Sequence, residues 1–353
     1  MIEQDKYSQT LARLVLISLL LAIVVIGLGA YTRLTHAGLG CPDWPTCYGL
    51  IDVPETSLQI AAAEQAYPER PVEPAKAWNE MIHRYFAGSL GLLIAAIALF
   101  SIKLRYSKNS NVKYPLLLPL CILLVVIFQA ALGMWTVTLK LMPIVVMGHL
   151  LGGFTTLCLL FLLYLRIKST RTTTQRESQV ELPLTKYTRY AFVGITILTA
   201  QIALGGWTSS NYAAMSCVEL PICQGDWLSD LSFTQSFDLI PPEQESYEFG
   251  HLAHNERVTI HVTHRLGAII TSIFLVWLAV TIFIKTSTVS TKKSAIALLV
   301  LLVIQISLGV SNIWFSLPLN VAVAHNLVAA CLMLSLITLT YQLKQNSEES
   351  LNE

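Results

Sequence analysis

Apolar positions in this chain come in long unbroken runs. They do not alternate as in a half-buried strand, nor recur every three or four residues as on a surface helix. Eight runs stand out, at roughly 11–32, 81–103, 115–137, 144–166, 187–208, 261–284, 294–315 and 319–342. Each is about 20 residues long or more, enough for a helix to cross the hydrocarbon of a bilayer. Lipid offers backbone amides no partner, so each run predicts a helix that satisfies its own hydrogen bonds. The expected fold class is an all-α polytopic membrane protein with eight transmembrane helices. Arg13 interrupts the first run and no convincing cleavage site follows it, so this run reads as a retained helix rather than a cleaved signal.

The runs repeat. A shift of 176 positions lays "IGLGAYTRLTHAGLGCPDWPTC" (26–47) on "IALGGWTSSNYAAMSCVELPIC" (202–223) without a gap, and Gln129, Gly133 and His149 on Gln305, Gly309 and His325. A shift of 181 lays His83-Arg84 on His264-Arg265, because the second long loop is longer. Each half holds four helices, and an even number makes the repeats parallel. The expected architecture is two parallel-repeat four-helix bundles. Residues 1–166 form the first, 167–186 a polar cytoplasmic linker, and 187–353 the second.

Composition agrees: 54% of the 353 residues are hydrophobic and 13% charged, with a mean hydropathy of +0.58. The net charge of +1 gives nucleic acid no footprint. Cations gather after the second, fourth and sixth runs, among them Lys103, Arg105, Arg166, Lys168, Lys285 and Lys292. The two long loops, 33–80 and 209–260, are acidic by contrast. The bias of cations predicts cytoplasmic N- and C-termini and long loops facing a periplasm or its equivalent.

That side is oxidising, which changes how the cysteines read. Cys41 and Cys47 stand six apart in one long loop, Cys217 and Cys223 six apart in the other. A disulfide in each is favoured over a metal site, since no CxxC occurs. Cys121, Cys158 and Cys331 fall inside apolar runs and read as small core residues.

Four histidines lie inside the runs at repeat-related places: His83, His149, His264 and His325. Ionisable residues at membrane depth are functional candidates. Counting from the run boundaries puts all four about 5–10 Å below the outer surface. In each half the second and fourth helices thus offer imidazoles at one level, which could ligate a haem iron from its two faces. The plainer reading makes each a core histidine bonded to a neighbouring helix. Arg84 and Arg265 follow two of these histidines and Arg33 ends the first run. All three are propionate candidates, or else headgroup anchors. Gln129 and Gln305, each with a Gly four residues on, read either as hydrogen-bonding near a ligand or, in slight preference, as packing between helices. At one position the halves differ: Glu80 stands where the second half has His261, one turn before the histidine. A carboxyl beside one site only is the asymmetry an enzyme needs and an electron carrier does not. The plainer reading of Glu80 is a first-turn residue favoured by the helix dipole. His36, His251 and His254 read as solvated loop residues, with a weak metal site of His251, His254 and His261 as a minor alternative.

The run "TRLTHAGLGCPDWPTCYG", then Glu80-x-x-His83-Arg84, His149, His264-Arg265 and His325, resembles the haem A synthase family of bacterial membranes and mitochondria. The resemblance covers all eight runs. It implies oxidation of the C8 methyl group of haem O to a formyl group by successive hydroxylations, giving haem A for cytochrome oxidases. It implies a substrate haem in the first half, with His83 and His149 axial and Glu80 catalytic. It implies a haem b cofactor in the second half on His264 and His325, and the disulfides Cys41–Cys47 and Cys217–Cys223. The first of these loops would lie as a lid over the substrate, with Trp44 on the porphyrin edge or in the interface. A bacterial inner membrane is the expected location. Haem O synthase, oxidase assembly factors and a second copy of the chain are expected partners, and the electron donor is not indicated. A dihaem b-type, quinol-linked carrier is the alternative; it explains the four histidines but neither Glu80 nor the loop signature.

Overall fold

The computed structural model describes all residues except 1, 107–115, 173–184, 222, 226, 230 and 350–353. Its helices are α1 (Ile2–Leu34), α2 (Ser57–Ala66), α3 (Pro74–Arg105), α4 (Leu117–Thr138), α5 (Pro143–Thr172), α6 (Thr185–Ser210), α7 (Phe233–Ser236), α8 (His254–Lys285), α9 (Val289–Trp314) and α10 (Leu319–Glu349). All but α2 and α7 are long and apolar enough to cross a membrane, matching the eight runs.

Helix ends depart from the runs. α3 begins at Pro74 rather than near 81, and α8 at His254 rather than near 261. Hydropathy marks only the part of a helix that lies in lipid; these two continue into polar turns beyond it. Pro74 suits a first helical turn, where its missing N–H is not needed. At the start of α8, the Glu256 carboxylate accepts the Ala253 N–H at 2.7 Å. His254 is therefore helical, not a loop residue. α2 starts with a reciprocal cap: Gln59 N–H donates to the Thr56 hydroxyl at 3.2 Å and Thr56 N–H to the Gln59 side chain at 3.0 Å. The expected linker 167–186 is helical up to Thr172 and from Thr185 on; 173–184 lie outside the described residues.

The chain divides into two compact units. Unit 1 is Met1–Thr174 with Gln244–Glu248, and unit 2 is Gln175–Glu243 with Phe249–Glu353. In unit 1, α1 packs on α3 and α5, and α4 on α3 and α5. In unit 2, α6 packs on α8 and α10, and α9 on α8 and α10. Each set closes a ring in which α3 and α5, or α8 and α10, stand diagonally opposed. Residues 244–248 join unit 1 through Arg70–Glu248 (3.2 Å) and a bond from Tyr247 N–H to the Lys140 carbonyl (3.0 Å).

Both cysteine pairs are disulfides, Cys41–Cys47 and Cys217–Cys223; Cys121, Cys158 and Cys331 are free. Labelling of SDS-solubilised, unreduced membranes with a maleimide is expected to mark only the three free thiols. Label on Cys41 or Cys217 before reductant would contradict the pairing.

Candidate functional site

One acid, Asp43, ties the first cysteine loop to itself. Asp43 accepts the N–H groups of Tyr48 (2.6 Å) and Gly49 (2.8 Å) and the Thr46 hydroxyl (2.5 Å). The loop's stiffness therefore comes from Asp43 as well as from the disulfide and the prolines. The loop backbone lies directly on α3: a Cβ on Gly40 would sit 2.6 Å from the carbonyl carbon of Lys76.

Glu80 is in the second turn of α3, 5% exposed, and not at a solvated helix end. Its Oε2 accepts the Cys41 N–H at 2.9 Å and its Oε1 accepts Arg84 Nη2 at 2.5 Å. Arg84 also donates through Nη1 to the carbonyls of Asp43 (2.9 Å), Pro45 (3.3 Å) and Thr46 (2.6 Å). In unit 2, Arg265 donates to the carbonyls of Glu219 (2.7 Å) and Cys217 (2.5 Å). Both arginines thus clasp the disulfide loop of their own unit. Arg33 is half-buried in the last turn of α1. At the place of Glu80, unit 2 buries His261.

Below the loop of unit 1, His83 of α3 and His149 of α5 meet across the ring. Their ring centres are 6.4 Å apart, with the ring planes at 83°. An ion between two imidazoles, about 2 Å from each nitrogen and with each ring centre about 1 Å further out, requires a separation of about 6 Å. The Nδ1 atoms of both rings are buried without a hydrogen-bond partner. A glycine on the neighbouring helix makes room for each ring. A Cβ would lie 3.0 Å from Cε1 of His83 at Gly29, and 3.2 Å from that of His149 at Gly133. Unit 2 does the same: Gly205 faces His264 and Gly309 faces His325, each at 3.2 Å.

The start of α3 at Pro74 puts His83 about 14 Å along the helix. His264 is likewise nearly three turns into α8 and not near its end.

Three glutamines attend the histidines. Gln129 donates its amide to the His149 carbonyl. The Gln201 amide nitrogen lies 3.0 Å from both the His264 carbonyl and its Nδ1. That of Gln305 lies 3.2 Å from Nε2 of His325. The side-chain oxygens of all three are buried without partners. Sequence reading missed Gln201, Gly29 and Gly205. The 176-position shift pairs Gly29 with Gly205 and was the signal available for them; Gln201 meets Val25 and gives no repeat signal.

Outside the rings, His36 and His254 are exposed, and burial lowers the pKa of half-buried His251. Among the described residues no group of three or more His, Cys, Asp or Glu could hold a metal ion, so His251, His254 and His261 do not assemble. Trp44 is 39% exposed.

The family model described as COX15-CtaA, cytochrome oxidase assembly protein, matches residues 12–337. A haem A synthase of Shewanella oneidensis is 48% identical over 337 residues, 95% of this chain and 97% of that protein. Haem A synthases of Wolbachia sp. subsp. Brugia malayi and Chelativorans sp. are 24% and 26% identical, over 97% and 88% of this chain and 100% and 84% of those proteins.

Proposed function

Because this chain belongs to the COX15-CtaA family of cytochrome oxidase assembly proteins, we propose that it is a haem A synthase, oxidising the C8 methyl of haem O to a formyl group by successive hydroxylations. It is an integral membrane protein and an enzyme of oxidoreductase type. The observation that carries the reading is the imidazole pair His83–His149 at a spacing that suits one iron, with buried Glu80 one turn outward on α3 and nothing acidic at His261.

Unit 1 is then the substrate site. His83 and His149 hold haem O from two sides and fix its height in the ring. Gly29 and Gly133 let the imidazoles stand close to their helices, leaving the centre of the ring for a flat ligand. Glu80, kept in place by Arg84 and the Cys41 N–H, holds or moves a proton at the outer end of the site. The Asp43 loop excludes water above it. Unit 2 is the cofactor site, where His264 and His325 would hold haem b, which when bound would supply one-electron chemistry. A glutamine amide stands beside a ring nitrogen of each of these imidazoles, Gln201 at His264 and Gln305 at His325. Arg33, Arg84 and Arg265 bring positive charge to the loop end of the rings, where a propionate would share Arg84 or Arg265 with the loop carbonyls. The units are internal repeats, supported by the matched Gly–His contacts. Both termini are cytoplasmic and the disulfide loops periplasmic, in a bacterial inner membrane. Haem O synthase and oxidase assembly factors are partners by the same reading.

The test is the haem extracted from cells that make haem O. Mass spectrometry is expected to find haem A only when the chain is present. Haem O left unchanged would exclude the reading, and a dihaem electron carrier would then be preferred.

A further inference from the structure

Both oxygens of the Glu80 carboxylate are tied to the first cysteine loop. Oε2 accepts the Cys41 N–H, and Oε1 accepts Arg84, whose Nη1 lies among the loop carbonyls of Asp43, Pro45 and Thr46. A guanidinium is a rigid planar fork, so oxygens that fix Nη1 also aim Nη2. Three carbonyl oxygens turned to one point repel one another, and Arg84 offsets that repulsion only once they are in place. The group that bends the loop into this shape is Asp43. Its Oδ1 accepts the Tyr48 N–H and its Oδ2 accepts the Gly49 N–H and the Thr46 hydroxyl. Residues 43–49 thereby close on one half-buried side chain. The Cys41–Cys47 disulfide spans an overlapping stretch, but a disulfide sets the separation of two residues and not the direction of the carbonyls between them.

Unit 2 has a disulfide loop without this arrangement. The 176-position shift lays Glu219 on Asp43, and Glu219 is exposed. The side-chain bond within that loop comes from Gln224, which accepts the Val218 N–H at 3.2 Å. Arg265 gives Nη1 to the Glu219 carbonyl and Nη2 to the Cys217 carbonyl, and one turn back from it stands His261 instead of an acid. The knit loop goes with the unit that has an acid to aim.

Resting on the reading of Glu80 as the acid of the substrate site, we propose that Asp43 is a positioning residue for Glu80, acting through the loop carbonyls and Arg84. Asp43 sets the carbonyls, the carbonyls set Arg84, and Arg84 with the Cys41 N–H sets the carboxylate. Glutamate and arginine are long side chains with many rotamers, and a misplacement of about 1 Å costs about 100-fold in rate.

The experiment uses membranes containing the full chain, supplied with graded haem O. Haem products are resolved by mass spectrometry, and the haem b spectrum of protein purified from the same membranes reports folding. Asp43→Ala is expected to lower the rate at saturating haem O about 100-fold and to accumulate partly oxidised haem. The half-saturating haem O concentration and the haem b spectrum are expected to stay as in wild type. Asp43→Asn keeps one acceptor oxygen and is expected to fall between the two; it is the variant read if Asp43→Ala does not fold. A raised half-saturating concentration with an unchanged saturated rate would overturn the proposal and leave Asp43 as part of a cover. So would a wild-type rate, or a loss of rate that comes only with loss of the haem b spectrum. Glu80→Gln measured alongside separates the failures. Normal haem A from Glu80→Gln, or none from wild type, would overturn the underlying reading and this proposal with it. Loss in Glu80→Gln beside a normal rate in Asp43→Ala would overturn this proposal alone.

Discussion

Glu80→Gln is expected to insert, fold and keep haem b in unit 2, yet to lose haem A output by several powers of ten and to accumulate haem O or a partly oxidised intermediate. The structural cost is bounded by the contacts. A glutamine oxygen still accepts the Cys41 N–H, and Arg84 keeps its three loop carbonyls. What is lost is one charged hydrogen bond to Arg84, about 1.5–3 kcal/mol. A side chain that holds or moves a proton in the reaction matters on a different scale, because each 1.4 kcal/mol of barrier is about tenfold in rate and four powers of ten require about 5.5 kcal/mol. The two roles therefore separate by magnitude. Extracted haems and the bound haem b spectrum should be read from the same preparation. Normal haem A output would leave Glu80 as a loop anchor and nothing more.

His264→Ala is expected to abolish the low-spin haem b spectrum of the purified protein and, with it, haem A formation. On the proposed reading the substitution would remove one of the two imidazoles that hold haem b, and it opens a gap against Gly205, whose missing side chain cannot fill it. Loss of a mere supporting partner costs about 10–100-fold in metal affinity, so loss of the ligand should cost more. Helix packing changes little, since α8 still meets α6 and α9 along its length. If the variant kept the wild-type spectrum, the assignment of haem b to unit 2 would be wrong, whatever its effect on activity.

The sequence by itself determined the membrane helices, because an uninterrupted apolar run is a local property that lipid reads directly. It also determined the cysteine partners, since six residues and a turn leave each thiol little choice. It singled out four histidines and Glu80 as unusual for their surroundings. It misplaced the starts of α3 and α8, because hydropathy sees where lipid ends and not where hydrogen bonding ends. For that reason the plainer reading of Glu80 placed it at a helix end, whereas the residue is buried. The partners of Arg84 were also beyond its reach: a guanidinium next to a histidine in sequence turns to carbonyls 38 to 41 residues away. Only the tertiary structure decided that α3 and α5 stand opposed across a ring, that glycines rather than side chains back the imidazoles, and that Gln201 reaches His264. Those facts depend on how each helix is rotated against its neighbours. That rotation is set by packing summed over many residues, and no single stretch of sequence carries it.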